Sequence, residues 1–332
     1  MKPLHAQLRS PLAPMIERYV SVKRALGRGF DGPSYYLSKL DRFLVSLPAP
    51  DLNAETFTAW CSTLTHLSSS GRRHRMRIVY HLCLFRRRSE PDCFVPDPTQ
   101  FPPPPPRSRP HIFTEDEISQ LLLAAETLPA NAPSPLHRQV ARLAVVLLFT
   151  TGLRRGELVR LTLDDYDATG RVLCVRESKF HKSRLVPLSD DAAHEVETYL
   201  QDRRRSAFPR SADAPLLLNG HGGPTGYTGA GFASLMRKLF RQAGIRTATG
   251  RPPRVHDLRF SFAVHALLRW YQSGVDVQAR LPALATYMGH GSIASTQYYL
   301  TFLDALAQAA SERFERHCSR FLSTVTSPGG VQ

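Results

Sequence analysis

Acids are scarce in this chain. Its 332 residues carry 28 Asp and Glu against 43 Lys and Arg, a formal charge of +15 with a pI near 10.1. A surplus of that size points to a polyanionic partner rather than to solubility alone. Long apolar runs are missing too: none reaches the ~18 residues of a membrane span. The opening MKPLHAQLRS has no continuous apolar segment of the signal-peptide kind. The expectation is a cytoplasmic chain without a membrane partner. The five cysteines (Cys61, Cys83, Cys93, Cys174 and Cys318) are odd in number and scattered. They form no C-x-x-C pair and no zinc spacing, and read as reduced thiols used for packing. No carboxylate or His/Cys cluster suggests a metal. The glycine-rich stretch 220–231 lacks the Lys-Ser end of a nucleotide-phosphate loop, so no cofactor is expected. No internal repeat is evident.

What is present divides the chain in two. A hydrophobic content of 42% is enough for proper cores, and the length suggests two domains. PDPTQFPPPPPRSRP, residues 96–110, predicts an extended polyproline spacer of ~3.1 Å per residue. Before it, apolar residues recur at helical spacing over 11–26, 35–47, 54–67 and 72–88, so residues 1–95 read as an all-helical domain. In the last of these helices Met76, Val79, Tyr80, Cys83 and Leu84 form the apolar stripe. Arg72, Arg73, Arg75 and Arg77 crowd its start, and Arg86, Arg87 and Arg88 its end. Residues 1–110 carry 17 basic against 8 acidic side chains, so a third of the chain holds +9 of the +15. These seven arginines are the candidate duplex contacts.

Residues 111–325 read as mixed, mainly α with a small β-sheet, with 326–332 as a tail. Thr114 is placed to cap a helix, with Glu117 completing a capping box. Residues 139–149 predict a buried helix ended by Gly152, and 155–161 start the next. Residues 172–175 and 185–188 predict strands around a polar tip, in a hairpin or three-stranded sheet, and 194–205 an amphipathic helix. Residues 302–322 place Phe302, Leu306, Ala310, Phe314, His317 and Phe321 at three- and four-residue steps, another amphipathic helix.

One constellation carries chemistry: Arg154 in TGLRRGEL, Lys179 in ESKFHKSRLVPL, His256 and Arg259 in HDLR, His290 in GHGS and Tyr299 in STQYY. A phenol can attack a phosphodiester if cations and imidazoles hold the developing charge and move protons. Arginine suits phosphate because its planar fork donates two hydrogen bonds and stays charged. His256 and Arg259, three apart, share a helix face. Tyr298 competes with Tyr299, and Lys182 with Lys179; neighbouring helical residues point ~100° apart, so one phosphate can meet only one of the two tyrosines.

In order and spacing these boxes resemble the tyrosine recombinases, the family of phage integrases and Xer-type resolvases, at motif level over roughly 111–310 and more faintly over 10–95. The resemblance implies a helical core-binding domain joined to an integrase-type catalytic domain. It implies Arg154, Lys179, His256, Arg259, His290 and Tyr299 as the catalytic set. Arg154 and Arg259 would clamp phosphate, Lys179 would protonate the leaving 5′ oxygen, and His256 would accept the tyrosine proton. His290 would hydrogen-bond the phosphate, and Glu157 would be the buried acid orienting Arg154. The family phase selects Tyr299 over Tyr298. Arg155 and Lys182 would contact the DNA backbone, and Asp257 would cap or support. The activity implied is site-specific recombination through a 3′-phosphotyrosyl link. It would need neither metal nor ATP, and would run in a homotetramer on double-stranded DNA with paired inverted half-sites, alone or with other recombinases of the same mobile element, in association with the nucleoid. A type IB topoisomerase would share the chemistry, and a non-catalytic accessory DNA-binding protein would share the scaffold. The 34 residues from His256 to His290 exceed the spacing in many relatives, with the excess in 269–285. The helix at 302–322 would dock on its own domain or on the next protomer.

Overall fold

The computed structural model describes residues 8–27, 29–47, 51–104, 109–129, 134–176, 183–206, 208–220, 225–290 and 292–302. They fall into two units that divide between residues 108 and 109.

The first unit is helical: α1 (Ala13–Ala25), α2 (Asp31–Val45), α3 (Ala54–Ser62) and α4 (Ser69–Arg86). Asn53 and Thr56 form a reciprocal capping box at α3, and Ser68 caps α4. Its core gathers Ile16, Leu37, Leu40, Leu44, Trp60, Val79 and Leu82. Asp41 is buried in α2 and accepts from the Ser10 N–H, the Ser10 hydroxyl and the Arg9 N–H, which ties the start of the described chain to α2. The buried stripe of α4 is Met76, Ile78, Val79, Leu82 and Cys83. Tyr80 and Leu84, expected inside, are only half-buried. The helix is covered from two sides, so Ile78 and Leu82 turn inward as well.

This unit also extends past residue 95. Phe101 is 5% exposed and joins the same core, its ring 6.4 Å from Phe57 and 6.1 Å from Tyr80. Pro98–Gln100 forms a 3₁₀ turn, and Arg73 Nη1 donates to the Pro102 carbonyl at 2.5 Å. The first part of the expected spacer is therefore part of the helical unit. An aromatic residue inside a proline-rich segment is the physical reason: burying a phenylalanine side chain stabilises by ~1.5–3 kcal/mol.

The second unit is mixed. Its helices are α5 (Glu115–Glu126), α6 (His137–Thr151), α7 (Arg155–Leu158), α8 (Asp190–Arg204), α9 (Gly229–Gln242), α10 (Val255–Gln272), α11 (Val277–Met288) and α12 (Ala294–Gln297). Strands β1 (Tyr166–Asp167), β2 (Val172–Val175) and β3 (Arg184–Pro187) form an antiparallel sheet in chain order. β4 (Leu218–Asn219) and β5 (Thr225–Gly226) pair separately. Helix α6 is buried nearly all round and is the axis of the main core. The Thr114–Glu117 capping box opens α5. The long spacing between His256 and His290 is taken up by the C-terminal half of α10, a turn at Gly274 and α11. Their packing builds a second cluster from Phe260, Ala263, Leu267, Leu281, Leu284, Met288 and Tyr299. Among the described residues no helix is long and apolar enough to cross a membrane. The expected helix at 302–322, together with Lys179 and Lys182, lies outside the residues whose side chains are described.

Candidate active site

Two glycine turns bring distant elements together. Gly152 ends α6 at φ +62°, where a Cβ would lie 2.4 Å from the Phe262 ring. Gly289 ends α11 at φ +67°, where a Cβ would lie 2.8 Å from Arg184 Nη1 and 3.3 Å from Arg154 Nη1. Only glycine combines that backbone with that approach. Both turns leave backbone carbonyls aimed at arginines.

Arg154 stands at the N-cap of α7. Its backbone N–H donates to Glu157 Oε2 at 2.9 Å, Nη1 to Glu157 Oε1 at 2.7 Å, and Nη2 to the Gly289 carbonyl at 2.6 Å. Arg259, on the first turns of α10, is 1% exposed. It donates to the carbonyls of Gly152 and Met288, the latter at 2.7 Å, and its Nη2 lies 2.9 Å from His290 Nε2. Burial, with the Arg154 charge beside it, lowers its pKa to about 10, which leaves it charged at neutral pH. Glu157 is 3% exposed. Burial pushes its carboxyl upward, but hydrogen bonds from Arg184 and from the Arg154 N–H outweigh this and hold it at about 2. Asp257 is buried and caps α10, accepting from the Arg254 N–H at 2.8 Å.

The imidazoles differ. His290 Nδ1 lies 2.7 Å from Thr296 Oγ1. Because the Arg259 guanidinium can only donate, Nε2 must accept, and Nδ1–H donates to Thr296. Desolvation and the charges of Arg259, Arg154 and Arg184 push its pKa down to about 4, in keeping with a neutral ring. His256 sits at the exposed mouth, edge-on to Phe260 at 5.3 Å. Desolvation and then Arg259 lower its pKa.

Tyr298 and Tyr299 lie on a 3₁₀ turn after α12. Tyr299 is 3% exposed, with its ring stacked near His290 at 5.7 Å and edge-on to Phe260 at 4.8 Å. Its hydroxyl is 3.4 Å from His290 Nε2, long for a hydrogen bond. Burial raises its pKa against the opposing pull of Arg259, so the resting phenol keeps its proton at pH 7. Tyr298 is half-buried, its ring 6.0 Å from Phe260.

Arg154, His256, Arg259, His290, Tyr298 and Tyr299 thus line one pocket of about 380 Å³. A larger cavity of about 910 Å³, bounded by His137, Tyr227, Lys238 and Arg241, contains none of the candidate catalytic residues. Arg155 is exposed, its guanidinium lying alongside Gly229. Sequence reasoning missed Arg184. It donates to Glu157 Oε1 at 3.1 Å and Oε2 at 2.8 Å, and its Nε to the Tyr287 carbonyl at 2.8 Å. Nothing local flags it, because its acid is 27 residues away and its carbonyl 103. Thr296, which orients His290, counts in the sequence only as part of a spacing.

The arginines of the first unit are unequal. Arg86 is tied to Asp51 at 2.7 Å and Glu90 at 2.7 Å. Arg73 holds a backbone carbonyl, Arg75 lies over the Tyr36 ring at 4.7 Å, and Arg72 is half-buried. Arg77, Arg87 and Arg88 are exposed. The expected uniform arginine face is therefore part structural and part open.

Known proteins are similar to this chain over most of its length. Residues 111–305 match the model of the phage integrase family. The integrase/recombinase y4rB of Sinorhizobium fredii is 32% identical over 303 residues, covering 91% of this chain and 96% of that protein. Tyrosine recombinase XerD of Mycobacterium tuberculosis is 35% identical over 200 residues, 60% of this chain and 58% of that one. The solved Tn1549 transposon integrase in complex with transposon right end DNA shares the fold at TM-score 0.60 and 19% identity, covering 91% of this chain and 98% of that chain.

Proposed function

This chain belongs to the phage integrase family, and on that premise we propose the chemistry of its pocket: Tyr299 attacks a DNA phosphodiester, leaving a 3′-phosphotyrosyl link and a free 5′ hydroxyl. A 5′ hydroxyl from a partner strand then reverses the link, which completes site-specific recombination. The observation that carries this reading is the convergence of Tyr299, two arginines and two imidazoles on one pocket.

A phosphate arriving at the mouth meets His256 and the partly exposed Arg154 first. Arg259 has five N–H donors, of which two are held by main-chain carbonyls and one by His290, so the remaining ones can meet a phosphate oxygen while the carbonyls keep the guanidinium in place. The phenol is protonated at rest, so attack requires a base. The family likeness gives that role to His256; His290 Nε2 lies 3.4 Å from the hydroxyl but already accepts from Arg259. Lys179 supplies the proton to the leaving 5′ oxygen, by resemblance. Duplex DNA is the partner, held by the open arginines of the first unit together with Arg155 and Lys182. The assembly we propose is a homotetramer on two duplexes with inverted half-sites, each chain comprising a helical core-binding domain and a catalytic domain.

The test uses a nicked suicide duplex, built from a site that the purified chain selects out of a random-sequence pool. Wild type should form a denaturation-resistant protein–DNA adduct, and should still form it in excess chelator. Tyr299→Phe should bind the duplex and form none. An adduct that survives in Tyr299→Phe and vanishes in Tyr298→Phe would transfer the role to Tyr298. Loss of the adduct in chelator, with recovery on adding magnesium, would overturn the metal-free mechanism.

A further inference from the structure

Arg184 opens β3 and reaches into the region between α7 and the α11 turn. Its guanidinium makes a two-pronged contact to Glu157, while Nε holds the Tyr287 carbonyl two residues before Gly289. Nη1 is so close to Gly289 that any Cβ there would collide with it. The Arg184 side chain is 10% exposed, against 27% for Arg154. Glu157 therefore sits between two guanidiniums, one facing the pocket mouth and one behind it. Arg184 thus holds the Glu157 carboxylate that fixes Arg154 and, through the Tyr287 carbonyl, the turn that presents the Gly289 carbonyl to it.

We propose that Arg184 is a positioning residue for strand cleavage: by sharing the single charge of Glu157, it leaves Arg154 available to the phosphate, and by gripping the turn at 287–289 it sets the approach of His290. The inference rests on the function proposed above. Its physical basis is competition. A buried carboxylate with one cationic partner draws that partner fully to itself, because an unpaired charge in a low-dielectric site is costly. With Arg184 removed, Glu157 has only Arg154 left, and the incoming phosphate must compete with it. Arg184 also begins the strand that follows the Lys179 segment, so the same contact ties that hairpin's second strand to the phosphate pocket. Lysine at this position would keep the charge but lose the fork that spans both carboxylate oxygens and the carbonyl.

The experiment measures adduct formation on the suicide duplex and, separately, duplex affinity. Arg184→Gln should lower the cleavage rate about 100-fold, near the low end of the cost of losing one preorganised donor, with affinity changed less than about 3-fold. Arg184→Lys should recover part of the rate. The deciding variant is the double change Glu157→Gln with Arg184→Gln: neutralising Glu157 removes the competitor, so the double variant should cleave at least about 10-fold faster than Arg184→Gln alone. A purely structural Arg184 predicts that any gain in the double variant only follows recovered folded protein and thermal stability, whereas competition predicts a faster rate per folded, duplex-bound molecule. Wild-type cleavage by Arg184→Gln, a loss of rate matched by loss of binding and folded protein, or a double variant no faster than the single would each overturn the proposal. Failure of the wild type to form any adduct, or of Tyr299→Phe to abolish it, would instead overturn the underlying reading.

Discussion

Arginine does different work in the two units. In the helical unit Arg75 and Arg88 lie over aromatic rings, Arg86 bridges two carboxylates, and Arg77 and Arg87 are exposed. In the mixed unit Arg259 and Arg184 are enclosed and bound to backbone carbonyls or a buried carboxylate, with Arg154 at the edge. Surface arginines are screened by salt and act on a polyanion as a diffuse field. Enclosed ones act in low dielectric, where a fixed hydrogen bond to developing charge lowers a barrier. The open arginines should therefore contribute affinity, and the enclosed ones of the pocket rate.

The sharpest way to break this comparison is at the pocket. Arg154→Ala or Arg259→Ala should lower the cleavage rate by about 10²–10³-fold, with little change in duplex affinity. If affinity and rate fell together, the enclosed arginines would be acting as surface ones. Lys179→Ala should lose a comparable rate but regain it on a substrate with a 5′-bridging sulfur, which leaves without a proton; Arg154→Ala should not regain it. Equal rescue of the two would refute the division between proton transfer and charge.

A smaller effect is expected at the surface. Replacing Arg77, Arg87 or Arg88 by Gln should weaken binding a few-fold and reduce the salt slope by about 1 for each phosphate no longer neutralised. Arg86→Gln should leave the salt slope alone and cost the helical unit about 1–3 kcal/mol, because its guanidinium is only 15% exposed and bridges two carboxylates. A salt-slope change at Arg86 equal to that at Arg77 would mean that its acids release it on DNA.

The smallest expected effect concerns protons. His290 is held at about 4 in the folded chain, against ~6.5 when exposed. Its folded pKa is depressed, so the stability linked to its neutral form is complete above ~6.5 and is lost as pH falls toward 4. Denaturant unfolding between pH 7 and 4 should show this slope in wild type and a shallower one in His290→Gln. Parallel slopes would place the cause elsewhere, with His256, whose pKa is also lowered, the first alternative.

Much of the mixed unit was legible in advance. The limits of β2, the capping box at Thr114, and the end of α6 at Gly152 follow from local patterns of two to four residues. Helices α9 and α11, the short strands β1, β4 and β5, and the inward turn of Phe101 did not, because two-residue strands and a lone aromatic among prolines carry no periodicity. In the site, the spacing in HDLR and STQYY marked the residues that face the pocket. The role of Glu157 came only with the family resemblance, and the structure pairs it with Arg154 one turn away. Arg184 was not readable, since both of its partners are remote in the chain.

The sequence by itself determined the class of partner, through net charge, and the chemical inventory of the pocket, through short motifs whose members lie three or four residues apart and so share a helix face. Tertiary structure alone decided which groups are neutral, which are paired and which face solvent. It set the order of exposure from His256 at the mouth to Arg259 at the back, placed Arg184 behind Glu157, and divided the surface arginines into structural and open ones. The physical reason is that burial and Coulomb interactions depend on distances in space. Those distances here join residues 107, 135 and 103 positions apart through Arg259 to Gly152, Arg154 to Gly289, and Arg184 to Tyr287.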